Sequence, residues 1–198
     1  MMMRSISVVR LCFFFLIVGF SGQVGAFSES DLEKLKATGD CSGCDLSKAN
    51  LIEADLAWGD LTGANLAGAT LKEVNLAGGN LTGANLTGAD LDGAILINSD
   101  LTGATIANET LDSAYLCHTE LTDGQESNCD LEKADFSRAY LGWLDLNGAK
   151  LIEADLSGAV LIEADLSGAN LTSANLAGAI LREVNLAGAN LAGANLAG

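Results

Sequence analysis

The chain contains no proline, a single histidine and only ten aromatic residues. The absence of proline excludes polyproline spacers and proline-punctuated loops. A lone imidazole, His118, excludes histidine-rich metal centres and thins the choices for acid–base catalysis. Basic residues are scarce as well: ten Lys and Arg stand against 26 Asp and Glu, a formal charge of −16. Such a balance argues against a protein that holds nucleic acid or an anionic membrane by charge. No long apolar run is present either. The longest, Leu11 to Phe20, has ten residues, about half of what a permanent membrane span needs. What remains is a 198-residue chain, 49% hydrophobic and rich in glycine, long enough for one domain or two small ones and too apolar for a disordered tail.

That short run has the makings of an address. Arg4 and Arg10 precede or open it, and Val24-Gly25-Ala26 supplies small residues after it. Residues 1–26 therefore read as a secretory signal peptide, which predicts an exported protein, periplasmic or extracellular, free of the membrane once the signal is cleaved. Cleavage would leave Cys41, Cys44, Cys117 and Cys129. An even count in an exported chain suggests two disulfides.

From Leu46 to Leu196 nearly every fifth residue is large and apolar: 28 of these 31 positions are Leu, and the others are Ile106, Glu126 and Phe136. Two residues before most of them sits a small residue, Ala in 20 cases. A strict period of five would smear Leu around an α-helix. The inward positions are spaced two and then three apart, so a strand-like step is followed by a bend. Repeated bends wind the chain into a coil with Leu and Ala inside. Gly, Asn and Asp among the outward residues suit the corners. The missing proline fits, because each turn of the coil must offer N–H groups to the next.

The tandem Ala-[Asp/Asn]-Leu-x-x pattern resembles the pentapeptide-repeat proteins. The resemblance implies an all-β fold, a right-handed quadrilateral β-helix with four pentapeptides per coil. Thirty-one units then predict about eight coils in one rod, on the order of 35–40 Å long at ~4.8 Å per coil.

Ahead of the repeats, residues 27–40 predict a short capping helix, with Ser28 as its cap, acidic residues in its first turn, and Leu32 and Leu35 on one face. The repeat, 41–198, is interrupted near 107–129. Glu109, Thr119, Gly124 and Glu126 fall in positions that should be apolar, and a buried unpaired carboxylate is too costly. A loop bracketed by Cys117 and Cys129 is expected there, similar to inserts of other exported members. Residues 51–88 and 161–198 match at 28 of 38 positions. If the insert loops out ten residues, the two copies fall on the same faces of one rod, five coils apart. The last coil carries no lid, and two molecules are expected to meet end to end there as a homodimer.

Cys41-Ser42-Gly43-Cys44 has the spacing of a redox motif, yet both cysteines occupy inward positions, which favours a structural disulfide. The expected pairing is Cys41–Cys44 and Cys117–Cys129. Zinc held by all four is excluded by a separation of roughly 15 Å between the pairs. His118 reads as an exposed loop residue. No catalytic, cofactor or metal residue is assigned. Apolar residues in outward positions (Ile52, Ile97, Ile152 and Ile162), with Trp58 and Trp143, are the candidate partner patch. The function expected is a rigid structural or protein-interaction module, not an enzyme, with an unidentified protein partner. Two alternatives stand beside it. Some cytoplasmic members of the family resemble B-form DNA and bind DNA gyrase, and the acidic surface allows that reading. A thiol–disulfide enzyme using Cys41 and Cys44 is the other.

Overall fold

The structure, a computed structural model, describes residues 27–198; the signal-peptide segment 1–26 lies outside the described residues. Helix α1 (Glu29–Thr38) opens them. Ser28 caps it by accepting the Asp31 N–H, and Gly39 closes it in the left-handed conformation, its N–H on the Leu35 carbonyl. Leu35 is fully buried against the first coil, with Leu32 and Phe27 packed beside it. Asp31 Oδ2 also accepts the Asp45 N–H at 2.9 Å, which pins the helix to that coil.

The repeat region forms no extended sheet. Each pentapeptide touches its neighbours through single parallel bridges, and each bridge joins residue i to i+20, as in Asp45–Asn65–Asn85–Thr105. Four five-residue sides therefore make one coil. Within each stack the Leu N–H of one side donates to the next coil, for instance Leu51 to the Thr70 carbonyl at 2.9 Å, and the residue at the side's end donates back, as Thr70 does to Ala49. Leu and Ala fill the axis, with Leu46 to Leu101 and Leu131 to Leu176 buried at nearly every fifth position.

The corners explain the rest of the pattern. In the regular coils the second residue after the inward Leu takes a positive φ, as at Gly63, Gly103 and Gly168, and glycine shares this position with residues such as Lys48, Glu53 and Ser173. The Asp or Asn before the Leu accepts the N–H of the residue after it, as Asp45 does from Ser47 at 3.1 Å and Asn80 from Thr82 at 3.0 Å. A carboxylate or amide oxygen thus closes each bend. Asn side chains also bond along the column: Asn65 Nδ2 reaches Asp45 Oδ1, and Asn85 Nδ2 reaches Asn65 Oδ1.

One continuous rod of about eight coils does not form. The chain builds two stacks. The first spans residues 41–122, about four coils, and the second 130–198, about three and a half. Among the described residues no parallel bridge joins them: Asp100 pairs with Glu120 in the first, Asp130 with Lys150 in the second. Two departures cause the break. Helix α2 (Asn108–Leu111) bulges at a corner, so that Gly93 donates to Ser113 rather than to Asp112. The coil then resumes through Cys117 and Thr119. Next, Glu120 and Glu126 pair antiparallel across a tight turn at Gly124, with Leu121 N–H on Gln125 O at 2.7 Å and Ser127 N–H on Thr119 O at 2.9 Å. This hairpin reverses the chain. A reversed strand cannot continue a parallel ladder, and a new stack begins.

The interruption expected near 107–129 is therefore two short departures with coil between them, and only the hairpin lies between Cys117 and Cys129. Thr119 does not leave the coil; it is fully buried, and its hydroxyl donates to the Leu96 carbonyl at 2.7 Å. The duplicated segments 51–88 and 161–198 do not share the faces of one rod. They occupy different stacks.

Candidate functional site: the seam between the stacks

The second stack sits on the side of the first. Its opening core residues, Leu131, Ala134, Phe136, Leu141 and Leu144, belong to one buried cluster with Ala77, Ile95, Ile97 and Cys117 of the first stack. An open coil end exposes apolar core and unpaired backbone; here the flank of the first stack covers it. Tyr115 packs edge-on to Phe136, ring centroids 5.0 Å apart.

Polar contacts fix the register of docking. Asn98 makes a two-way bond to the Asp145 backbone: its Oδ1 accepts the N–H at 2.6 Å and its Nδ2 donates to the carbonyl at 2.9 Å. Asn75 Nδ2 donates to the Tyr140 carbonyl at 2.9 Å. His118 stands at the joint, its Nδ1 on Glu126 of the hairpin and its Nε2 3.3 Å from the Asn147 carbonyl of the second stack. Partial burial pulls its pKa down, but the bonds to Glu126 and Asn147 and the charges of Asp145 and Glu126 outweigh this and raise it. The imidazole is not a free loop residue; it bridges the two halves. Beside it Cys117 and Cys129 are bonded, with Cα atoms 4.1 Å apart. Cys41 and Cys44 are bonded under α1, with Cα atoms 5.2 Å apart.

The candidate patch residues separate into groups. Ile97, expected to face outward, is fully buried, because the second stack covers that side of the first. Ile52, Trp58 and Trp143 are exposed; Ile152 and Ile162 are half-buried. Ile180, another outward apolar residue, is exposed on the second stack.

Each tryptophan packs on a residue at or next to the seam. Trp58 lies flat on Gly78: a Cβ added there would fall 2.6 Å from the indole. Gly78 adjoins Ala77, which the second stack buries. Trp143 packs at 5.9 Å on Tyr140, whose carbonyl binds Asn75. The two indoles are 37% and 45% exposed. Both also occupy corner positions, with φ +62° and +63°. A left-handed conformation costs a non-glycine residue about 1–2 kcal/mol. Sequence reasoning found the indoles; the signal it left unused was that they replace the corner glycine.

Beside Tyr140 the two stacks form a cleft of about 690 Å³. Five carboxylates line it, Glu73 and Asp135 among them, with Tyr115, Tyr140 and the single cation Arg138. Acidity is maintained around the coils by the corner bonds. Hydrogen bonds from Ser47, Thr62, Thr102, Ser157 and Ser167 hold Asp45, Asp60, Asp100, Asp155 and Asp165 below the usual carboxylate range.

Comparison with known proteins agrees with the coil. The family described as pentapeptide repeats matches residues 40–78, 69–106, 140–178 and 169–198. The gap between the second and third matches contains α2, the hairpin and the joint. Among solved structures, the chain is similar to HetL, a pentapeptide-repeat protein involved in heterocyst differentiation regulation from the cyanobacterium Nostoc sp. strain PCC 7120. The identity is 38% over 78% of this chain and 69% of that one, with a TM-score of 0.33. A pentapeptide-repeat protein of the Arabidopsis thaliana thylakoid lumen shares 23% over 73% and 66%, TM-score 0.28. QnrB1, a plasmid-mediated fluoroquinolone resistance protein, shares 21% over 75% and 77%, TM-score 0.26. No curated protein matches.

Proposed function

Because the chain belongs to the pentapeptide-repeat family, we propose that it is a rigid, non-catalytic protein-interaction module whose partner binds over the seam. The observation that carries this reading is the placement of Trp58 and Trp143. Each takes a strained corner where glycine is the easier residue, and both stand half-exposed beside the line where the stacks meet. Large aromatic side chains with one dry face and one open face are the residues that anchor protein interfaces. The acidic cleft beside Tyr140 favours a partner surface that carries basic groups. Parallel connections of this kind are right-handed in nearly all proteins, so the coils are read as right-handed. The pattern of residues 1–26 supports export, which places the partner in the periplasm or outside the cell.

The decisive experiment is proximity labelling in the exported compartment with the native chain and with Trp58→Ala/Trp143→Ala. A protein labelled by the native chain and lost from the variant is the expected result. Equal labelling by both would remove the seam from the account.

The two earlier alternatives lose ground on geometry. Cys41 and Cys44 are 0% and 5% exposed, so neither is placed to attack a substrate disulfide. A mimic of duplex DNA needs a long continuous rod, whereas each stack is only about 15–20 Å tall at ~4.8 Å per coil. Unaltered DNA gyrase activity in the presence of excess protein is the expected result.

A further inference from the structure

The joint between the stacks holds a set of ligand-type side chains that docking alone leaves unused. The sulfurs of Cys117 and Cys129 and a ring nitrogen of His118 all lie within 4.8 Å of one another. Neighbours on an extended strand point to opposite faces. Here His118 takes φ +48°, and this corner lets two consecutive side chains approach one point. Glu126 touches His118 Nδ1 from the hairpin, and Asp145 adds a second negative charge nearby. Among the described residues no Lys or Arg is bonded to this group.

We propose that reduction of the Cys117–Cys129 disulfide converts the joint into a binding site for a thiophilic divalent cation of the Zn²⁺ type. Cys117, Cys129 and His118 Nδ1 are the ligands, and the Glu126 carboxylate is the adjacent oxygen donor. A dithiol or phosphine supplies the two electrons that break the S–S bond. A dithiol gives its own two thiol protons to the protein thiols and leaves as its disulfide; with a phosphine, water supplies both protons and the oxygen of the phosphine oxide. Cation binding then releases both thiol protons, so that two thiolates balance the dication. Tetrahedral zinc has Zn–S bonds of about 2.3 Å and Zn–N bonds of about 2.0–2.1 Å; ligand atoms so arranged lie under ~4 Å apart, and the present group needs only small movements to reach that. The Nε2–H of His118 keeps the Asn147 carbonyl, the outer contact that fixes tautomer and ring orientation in metal-bound histidines. The disulfide under α1 does not share this chemistry. Lys34 Nζ stands 3.9 Å from Cys44 Sγ, and a cation there opposes a second one. Cys117 belongs to the first stack and Cys129 leads into the second, so either occupant of the joint ties the stacks together.

The test is a Co²⁺ titration of the full chain, reduced with a phosphine in the absence of air and checked for folding by circular dichroism. The expected result is one equivalent bound, with thiolate-to-cobalt absorption that excess Zn²⁺ abolishes. The oxidised chain shows none. Cys117→Ser removes the band, and His118→Gln weakens binding by about tenfold or more. Three results would overturn the proposal: a folded reduced chain without a thiolate band, a band that survives Cys117→Ser (which would place the cation at Cys41 and Cys44), or a reduced chain that unfolds and is not refolded by Zn²⁺.

Discussion

The two stacks share a sequence pattern and differ in how their ends are closed. The first is covered at its start by α1, with Leu35 fully buried over the opening coil. The second has no helix of its own. Its start is covered by the flank of the first stack, through Ala77, Ile95 and Ile97. Yet residues 51–88 and 161–198 are alike at 28 of 38 positions. A repeat specifies the coil and says little about its ends. End closure is written in the exceptions: the residues of α1, the hairpin at 119–127, and a few outward positions changed to Ile, Asn or Ala.

The sharpest way to break this comparison is to charge an outward residue on each kind of surface. Ile97→Asp buries an unpaired carboxylate at the seam and should destabilise the fold by about 3–5 kcal/mol. Ile52→Asp, in the same outward class by pattern but 43% exposed, should change stability by less than about 0.5 kcal/mol. Denaturant midpoints for the pair decide the matter; equal losses would mean that the seam is not closed. Next in size is the contrast between core positions. Leu66→Ala, in a fully buried coil, should cost about 2–5 kcal/mol. Leu186→Ala, partly buried in the last coil, should cost less than half as much.

Smaller effects report on the docking bonds and the corners. Asn98→Ala removes both bonds to the Asp145 backbone and should cost about 1–3 kcal/mol, with faster hydrogen exchange of the Asp145 amide. Glu153→Gly relieves a corner at φ +59° and should stabilise by about 1 kcal/mol; its ion pair with Lys133, at 3.9 Å and exposed, offsets little.

Acidity separates the seam from the stacks. Carboxyl groups held low at Asp45, Asp60 and Asp100 of the first stack, and at Asp155 and Asp165 of the second, stabilise the fold above the ordinary carboxylate pKa. That contribution is lost as pH falls through their folded values. His118 acts in the opposite sense. Its raised pKa gives stability that is complete below the ordinary imidazole value and is lost as pH rises through the folded one. Thermal melts should therefore weaken in strong acid for every variant, whereas His118→Gln alone should flatten the slope near neutrality.

The coil was legible in the sequence because its cause is local and repeated. Leu and Ala recur inward, Asp or Asn closes each bend, and α1 carries its own cap at Ser28. The break was only half legible. Glu109, Gly124 and Glu126 marked an interruption, but the reversal at Gly124 depends on an antiparallel pairing that no repeat pattern announces. Thr119 looked out of place and is buried, because a hydroxyl can bond the Leu96 carbonyl where a carboxylate would be stranded. Ile97 looked outward by register, as it is within its own coil. What covers it arrives from a second stack about 40 residues further along, and periodicity carries no information about contacts at that range. His118 gave no signal of its bridging role, which exists only because the chain turns back.

The central claim is that two stacks dock side to end, and proximity in solution tests it most directly. Asn98 and Asp145 are 47 residues apart and Asn75 and Tyr140 are 65 apart. In one continuous coil these pairs would lie roughly 10–15 Å from each other at ~4.8 Å per coil. Nuclear Overhauser contacts should connect the Asn98 side-chain amide to the Asp145 amide, and the Asn75 side-chain amide to the Tyr140–Leu141 backbone. Their absence from a fully assigned spectrum, with backbone contacts from the Leu116 amide to Asp135 continuing the i to i+20 ladder, would show a single rod and contradict the account.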